Sequence, residues 1–258
     1  MAIEMLTPMF KTSNGLVQGT LLRTLTDARL PAEYQECEYI STNGTAIINT
    51  GLELYHGYQV KFKGRWTSTP PNDTWFMGDW KQNVGSIPAR TWLVGKYNVY
   101  RCQAGDDNSS YYGQYPSGTD TNWHEYEIRN EGYWIDEVQR TGLVDFSKMP
   151  DWHTETSGHT PRKFITIGRS HHVNSGTMQR QIGEVIFKDH DNTVVRDYVP
   201  CYRKSDNTSG FYDIANDEFK PSDYYSSSYN YTPMTHGPDV QHGDTYLQQI
   251  SVGRITNG

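Results

Sequence analysis

The sequence predicts an all-β protein, and two observations carry that prediction. Tyr, Thr, Ser, Asn and Gly are abundant whereas Leu and Ala are sparse, a mixture that favours strands and turns over helices. Between residues 30 and 219, short segments that alternate or carry β-branched and aromatic residues each end at Gly, Asn, Asp or Pro. Their starts lie roughly 8 to 15 residues apart, which is typical of a sandwich or barrel. Aromatic residues, 13% of the chain with 19 Tyr and 7 Trp, supply much of the expected core.

Residues 1–29 differ from the segments that follow. Leu and Val recur there at partly helical spacing, but Pro8, Gly15 and Gly19 disfavour a long helix. We expect an extension that docks on the same domain or on a partner subunit. The anchoring contacts are assigned to its apolar residues, namely Leu16, Val17, Leu21, Leu22 and Leu25.

The central strands follow in order. They are ECEYIST, TAIINTG, YQVKFKGRW, TWFMGDW, TWLVGKYNVYRC, HEYEIRN, GYWIDEVQRT, KFITIGRS, RQIGEVIFKD, TVVRDYVPCYR and SGFYDIA. Three long polar loops, at 67–73, 104–122 and 149–162, are where binding residues are expected on a rigid sandwich. The last segment, residues 221–258, is a Ser/Tyr-rich tail that ends in the apolar stretch TYLQQISVGRI. We expect this tail to cap the sandwich or to reach a neighbouring chain.

Charge and hydropathy narrow the classes of partner. The net charge is −7 and Lys and Arg are scattered, which argues against nucleic-acid binding. No apolar run approaches the roughly 20 residues that span a bilayer. The N-terminal stretch lacks the basic and apolar regions of a secretory signal, so we expect synthesis in a cytoplasm. The three cysteines (Cys37, Cys102 and Cys201) have no metal-binding spacing and are expected to be buried or partly buried free thiols, with a disulfide as the alternative.

Four segments carry a resemblance to a known family. They are LPAEYQECEYISTNGTAIINTGL, WHEYEIRNEGYWIDEVQRTG, KFITIGRS and IGEVIFKDHDNTVVRDYVPCYRKSDNTSGFYDIANDEF. Together they resemble the laminin-G-like, concanavalin-A-like jelly-roll domain, and the last segment resembles its closing hairpin. The resemblance covers residues 30–220. It implies a jelly-roll β-sandwich between an N-terminal anchoring and assembly extension (1–29) and a C-terminal tail (221–258).

Domains of this type are common in phage virion proteins and in surface proteins of gut bacteria. The resemblance implies structural display or glycan contact there, and seldom catalysis. We therefore expect a non-enzymatic head or tail fibre or decoration protein in the virion. The expected partners are capsid, portal or tail components, sister chains in a homo-oligomer such as a trimer, and a host cell-surface glycan, with no nucleic acid and no membrane. The alternatives are a bacterial surface glycan-binding module and a polysaccharide hydrolase on the same fold.

The carboxylates do not match the hydrolase pattern. Glucanases on this fold place acids on alternate residues of one strand, as in Glu-x-Asp-x-x-Glu, so that all face the cleft. Glu125 and Glu127 would share one face, but a third acid is missing. Asp136 and Glu137 are adjacent, so a strand would point them to opposite faces. A G-x-S-x-G nucleophile elbow is also absent, so no catalytic residue is predicted.

Two loop regions hold the candidate binding residues. Asp106 and Asp107 are the candidate calcium ligands, with a solvated loop as the alternative, and no other cofactor is expected. Carbohydrate contact needs aromatic faces beside polar groups, because a pyranose offers both CH patches and hydroxyls. The predicted glycan contacts are aromatic residues in polar loops, namely Tyr111, Tyr112, Tyr115 and Trp152. Packing against a neighbouring subunit is their alternative role.

The segment VPCYRKSDNTSGFYDIANDEF, residues 199–219, predicts a hairpin rather than a site. Its turn lies within Asp206–Gly210, where Asn or Gly takes a positive φ. The pattern predicts Phe211 and Phe219 facing inward and Arg203 facing outward. Trp66, Trp75 and Trp92, in alternating strands, are predicted core residues.

Overall fold

The computed structural model describes seventeen segments of the chain. The described residues are 3–6, 9–12, 15–18, 20–24, 29–53, 58–71, 74–81, 90–97, 99–106, 111–115, 120–129, 132–140, 164–169, 178–189, 191–224, 232–241 and 245–249. In the strands nearest the termini, and in parts of the 74–115 region, the description is of the backbone alone. A search of these residues for a helix long and apolar enough to cross a bilayer finds none.

Every regular element in the described part of the chain is a β-strand, and every pairing is antiparallel. The strands are β1 (Ile3–Leu6), β2 (Met9–Thr12), β3 (Gly15–Gln18), β4 (Thr20–Thr24), β5 (Tyr34–Glu36), β6 (Ile40–Thr42), β7 (Ala46–Glu53), β8 (Gln59–Trp66), β9 (Thr74–Lys81), β10 (Arg90–Tyr97), β11 (Val99–Asp106), β12 (Tyr111–Tyr115), β13 (His124–Arg129), β14 (Gly132–Ile135), β15 (Val138–Gln139), β16 (Phe164–Ile167), β17 (Arg180–Lys188), β18 (Val194–Arg203), β19 (Thr208–Asp213), β20 (Glu218–Pro221), β21 (Asp223–Tyr224), β22 (Thr235–His236) and β23 (Thr245–Gln249). The predicted all-β class is confirmed.

The chain forms two compact units, one of which combines its two ends. Residues 1–32 and 240–258 make the first unit, and residues 33–239 make the second. In the first unit, β2 and β3 form a hairpin, and β4 lies between β1 and β23 in a three-stranded sheet. Leu22 of β4 is opposite Met5 on one side and Leu247 on the other. The N-terminal extension and the end of the tail are therefore parts of one sheet.

The second unit contains a larger and a smaller sheet, an arrangement consistent with a β-sandwich. The larger sheet runs β15-β14-β13-β8-β17-β18-β19-β20, with β5, β6 and β22 paired alongside it. The smaller sheet runs β12-β11-β10-β9-β16-β7-β21. Because β17 pairs with β6 at one end and with β18 at the other, β5 and β6 fill the space where β17 and β18 diverge.

The core lies between the two sheets and is dominated by aromatic rings. Phe76 of β9 is fully buried, and its ring centroid lies 4.1 Å from that of Trp66 and 5.5 Å from that of Phe62, both on β8. Tyr126 of β13 stacks on Phe62 at 4.9 Å. Aromatic pairs of this kind contribute about 0.5–1.5 kcal/mol each beyond the burial of their area. Trp66 and Trp75 are each 1% exposed, which confirms their prediction as core residues.

A buried cation lies against the turn between β6 and β7. Arg180 is fully buried, donates to the carbonyl oxygens of Trp75 and Met178, and lies over the indole of Trp66 at 5.3 Å. Its burial, together with the charge of Arg169, lowers the pKa of Arg180 to about 9. Gly44 in the turn has φ +83°, and a Cβ there would lie 2.5 Å from Arg180 Nη2. Glycine is therefore required at this position by both conformation and space.

The closing hairpin is β18–β19, followed by β20. Asn207 takes φ 57°, as the sequence predicts, but the turn is residues 204–207, and the predicted turn residues 208–210 belong to β19 instead. Phe211 is fully buried in the core, but Phe219 is opposite Tyr212, on the other face of the sheet, so its prediction as an inward residue is wrong. The turn between β19 and β20, with Asp217 at φ 53°, sets this register. Phe219 packs there on Tyr34 at 4.9 Å between ring centroids.

Candidate functional site

The outer face of the larger sheet is the face that points away from the smaller sheet. Along β8 the even-numbered residues from Val60 to Trp66 are buried, so the odd-numbered residues point outward. These outward residues are Lys61, Lys63 and Arg65, three cations in succession on one strand. The neighbouring strands β13 and β17 place Glu125 opposite Lys63 and Gln181 opposite Arg65.

A group of side chains gathers around Trp123 on this face, which we call the Trp123 platform (Tyr39, Lys63, Arg65, Trp123 and Gln181). The guanidinium carbon of Arg65 lies 4.9 Å from the indole centroid, and Lys63 Nζ lies 5.4 Å from it. The ring of Tyr39 lies 5.6 Å from the indole at an angle of 47°. Lys63 is exposed, and the other four side chains are half-buried. The platform therefore offers solvent two aromatic rings, two cations and an amide.

Neighbouring backbone and side chains hold the platform in place. Arg65 Nε donates to Gln181 Oε1 at 2.6 Å, which fixes the plane of the guanidinium. Tyr39 lies against Gly237, where a Cβ would come within 2.7 Å of the ring, so only glycine leaves room for the tyrosine there. A contacting group held by its neighbours loses less side-chain entropy when a ligand binds.

Ion pairs lie beside the platform on the same face. Lys61 Nζ lies 2.7 Å from Glu125 Oε1, and Arg129 Nη2 lies 2.6 Å from Glu127 Oε2. The hydrogen bond from Arg129 holds the pKa of Glu127 below its usual value, although partial burial opposes this shift. Glu125 and Glu127 share one face, as predicted, but each is paired with a cation. Because its pKa is lowered, Glu127 is a poor general acid.

A second polar cluster surrounds His124 at the start of β13. Its Nδ1 lies 2.6 Å from Asp136 Oδ2 and its Nε2 lies 3.0 Å from Asp120 Oδ2. Burial alone would raise the pKa of Asp136, but hydrogen bonds from His124 and from the backbone N–H of Glu125 lower it below its usual value. The backbone N–H of Asn122, together with His124, lowers the pKa of Asp120. Both ring nitrogens face carboxylates, so neither is available to a metal ion or a nucleophile.

Three of the four predicted glycan-contact residues are on a strand of the smaller sheet, whereas the platform is on the larger sheet. Tyr111, Tyr112 and Tyr115 are on β12, the edge strand of the smaller sheet, where Tyr112 is opposite Gln103. The interpretation of 104–122 as one continuous loop is therefore wrong, because β12 interrupts it. Positions 111 and 115 have the same parity along the strand and position 112 has the other, so the three do not form one row. Trp152 lies outside the described residues.

The predicted calcium and anchoring residues are placed only in part. Asp106 is the last residue of β11, opposite Arg90, and Asp107 lies outside the described residues. Among the residues that the structure describes, no three His, Cys, Asp or Glu side chains are grouped to hold a metal ion. Leu16 and Val17 are on β3 and Leu21 and Leu22 are on β4, whereas Leu25 lies outside the described ranges.

Sequence reasoning missed the platform. Its signal was the stretch YQVKFKGRW, in which each outward position after the first carries a cation. Trp123 directly follows the polar loop predicted at 104–122, but it was not among the aromatic residues selected as glycan contacts.

Comparisons of the chain with protein-family profiles, with curated proteins and with solved structures found no match.

Proposed function

We propose that the chain is a non-enzymatic phage virion protein, a head or tail fibre or a decoration protein, that displays a lectin-like domain. The jelly-roll identity of that domain rests on the resemblance of residues 30–220. The all-β architecture with two large antiparallel sheets is consistent with it. In this proposal the sandwich contacts carbohydrate through the Trp123 platform.

The observation that carries the binding proposal is the position of Trp123 among polar groups on an exposed sheet face. The CH patches of a sugar ring pack against aromatic faces, while its hydroxyls need planar donors and acceptors nearby. Tyr39 and Trp123 supply the rings, and Arg65 and Gln181 supply the planar polar groups. Since Arg65 and Gln181 are already hydrogen bonded to each other, they are pre-organised for a ligand.

Binding fits this face better than hydrolysis. A glycosidase needs one carboxyl group that holds a proton beside a second that is ionised. The pKa of Glu127 is lowered by Arg129, so Glu127 is not suited to act as the acid, and Glu125 Oε1 is held by Lys61 Nζ at 2.7 Å. The alternative among enzymes is a polysaccharide hydrolase on the same fold. Release of reducing ends from a bound polysaccharide would establish that activity.

The binding proposal is tested with the full chain and a panel of immobilised neutral and acidic oligosaccharides. We expect retention of at least one class by the wild-type protein and loss of retention in Trp123→Ala. Trp134→Ala is the matched control, because Trp134 is also on the outer face, under Arg129 at 4.5 Å, but is not part of the platform. Equal retention by wild type and Trp123→Ala would overturn the assignment of the site.

The virion proposal is tested separately. Its partners would be capsid, portal or tail components and sister chains in a homo-oligomer, attached through residues 1–29. We expect the protein to co-sediment with purified phage particles and to be detected in them by mass spectrometry. Its recovery only from bacterial envelopes would favour the alternative, a bacterial surface glycan-binding module with the same platform.

A further inference from the structure

Lys63 and Arg65 differ from the nearby cations Lys61 and Arg129 in having no acidic partner among the described residues. Lys61 and Arg129 are each paired with a glutamate at hydrogen-bonding distance. Lys63 and Arg65 take part in no ion pair with any residue in the described ranges, and their contacts are with Trp123 and Gln181. Two uncompensated cations therefore lie over the same aromatic ring.

The strands around Lys63 and Arg65 also present more positive than negative side chains on the outer face. Among the outward residues of β8, β13 and β17, five cations outnumber three carboxylates. The cations are Lys61, Lys63, Arg65, Arg129 and Lys188, and the carboxylates are Glu125, Glu127 and Glu184. The chain as a whole carries a net charge of −7. A local positive excess on a negative protein attracts a ligand with negative charge to this face.

The arrangement fits a ligand with a small, isolated negative charge attached to an apolar ring face. A sugar that carries a carboxylate has both parts. Its ring face can pack beside Tyr39 and Trp123, and its carboxylate can accept hydrogen bonds from Lys63 Nζ and from the guanidinium N–H groups of Arg65. We infer that the Trp123 platform selects acidic carbohydrates, uronic or sialic acids, whose carboxylate is bound by Lys63 and Arg65.

A polyphosphate such as single-stranded DNA fits less well, although it also combines rings with negative charge. Its binding requires a track of cations along the backbone. On this face Glu125 is opposite Lys63 of the platform, Glu127 is opposite the neighbouring Lys61, and Glu184 is exposed on β17. These carboxylates interrupt the cations, which leaves a site for one acidic group rather than a track for several phosphates.

The test compares acidic sugars with matched neutral ones and rests on the proposed carbohydrate-binding function. The probes are the methyl glycoside of galacturonate against its methyl ester, and 3′-sialyllactose against lactose, each acidic probe carrying one carboxylate, measured by calorimetry with the full chain. We expect at least one acidic probe to bind about tenfold more tightly than its neutral partner, because charge-assisted hydrogen bonds are about twice as strong as neutral ones. Lys63→Gln should remove most of this preference and Lys63→Arg should retain it.

The controls are a substitution of a cation outside the platform and an oligonucleotide probe. Lys188→Gln removes a cation from the same face outside the platform and should leave the preference unchanged. If acidic and neutral probes bind equally and both depend on Trp123, the inference fails and the proposed function stands. If no saccharide binds, both fail. Tighter binding of a dT12 oligonucleotide than of either acidic probe would overturn the inference in favour of a polyanion.

Discussion

The imidazole of His124 lies 2.6 Å from the carboxylate of Asp136, which ties the first residue of β13 to the turn between β14 and β15. Asp136 also accepts a hydrogen bond from the backbone N–H of Glu125 at 2.9 Å. A single carboxylate thus joins two strands of the larger sheet at one end, and Asp120 binds the opposite side of the ring.

This cluster predicts a specific loss of stability in acid. The pKa of Asp136 and that of Asp120 are both lowered in the folded protein. A lowered folded-state pKa gives stability that is present above the unfolded value of about 3.9 and is lost as the pH falls through the folded pKa. We expect His124→Ala to lower the free energy of unfolding at pH 6 by about 1 kcal/mol, discounted for the exposure of Asp136.

Urea unfolding at pH 6 and thermal melts from pH 6 to pH 2 measure the effect. The stability gap between wild type and His124→Ala should narrow steadily below about pH 4, because both carboxylates become protonated there. As a control, Glu137→Gln removes a carboxylate from the same turn. The difference in the free energy of unfolding between wild type and Glu137→Gln should not change over this pH range. A gap of constant size across this pH range would show that the two carboxylates do not carry the effect.

The turn at Asp136 and Glu137 predicts a stabilising substitution. The two residues have φ 52° and φ 63° and form the whole loop between Ile135 and Val138. This two-residue pattern favours glycine at its second position, where Glu137 is exposed. Glu137→Gly should therefore raise the free energy of unfolding by roughly 0.5–1 kcal/mol.

Chemical unfolding of a matched variant, Glu137→Ala, separates the effect of the turn conformation from the effect of removing the charged side chain. Alanine removes the same side chain but keeps the Cβ that a positive φ disfavours, so it should give no gain. Equal stabilisation by alanine and glycine would mean that the charge of Glu137, and not the turn conformation, is responsible.

The β19–β20 hairpin predicts a position that does not accept a side chain. A Cβ at Gly210 would press against the carbonyl oxygen of Lys220 and would lie 2.9 Å from Pro221 Cα. Both are backbone atoms of β20, so the strand itself would have to move. Gly210→Ala should lower the free energy of unfolding by about 2–3 kcal/mol.

Gly183→Ala is the matched comparison for Gly210→Ala in urea unfolding. Its Cβ would meet nothing nearer than Lys63 Cβ at 3.3 Å, so the cost should be clearly smaller. Equal costs at the two glycines would contradict the close approach of β19 and β20.

The buried thiols predict resistance to thiol reagents. Cys37 and Cys201 are free and buried, as the sequence predicts, and Cys37 is 2% exposed and Cys201 0% exposed. Burial raises the pKa of Cys37 to about 12 and also raises that of Cys201. The thiolate is the reactive form, so neither should react in the folded state at pH 8.

Ellman's reagent measures this on a Cys102→Ser variant, which removes the thiol whose side chain lies outside the described set. We expect no release of chromophore from the native variant and reaction of two thiols per chain after unfolding in guanidinium. Rapid reaction of the native variant would show that the β5–β18 region opens in solution.

The elements that sequence reasoning predicted well are those fixed by local patterns. The closing hairpin could be placed from Asn207 and the alternation around it, since a turn residue and the strand period are both local signals. The face of Phe219 could not be predicted, because a turn of unforeseen geometry after Asp213 changed which residues share a face.

The platform was out of reach for a different reason. Tyr39, Arg65, Trp123 and Gln181 come from four separate regions of the chain and meet only through strand pairings between distant segments. The outward direction of Arg65 followed from alternation, but its pairing with Gln181 depends on the register of β8 against β17. No local pattern encodes that register.

The pairing of β4 with β23 sets an order of events during synthesis. β4 leaves the ribosome early and β23 is made more than 200 residues later, after every strand of the sandwich. Since domains fold as their strands become available, every strand of the sandwich is made before the first unit acquires its third strand. A nascent chain that has already folded its sandwich therefore still exposes an edge of β4 that is ready to pair. Whatever assembly depends on this terminal sheet is delayed until translation has passed residue 249.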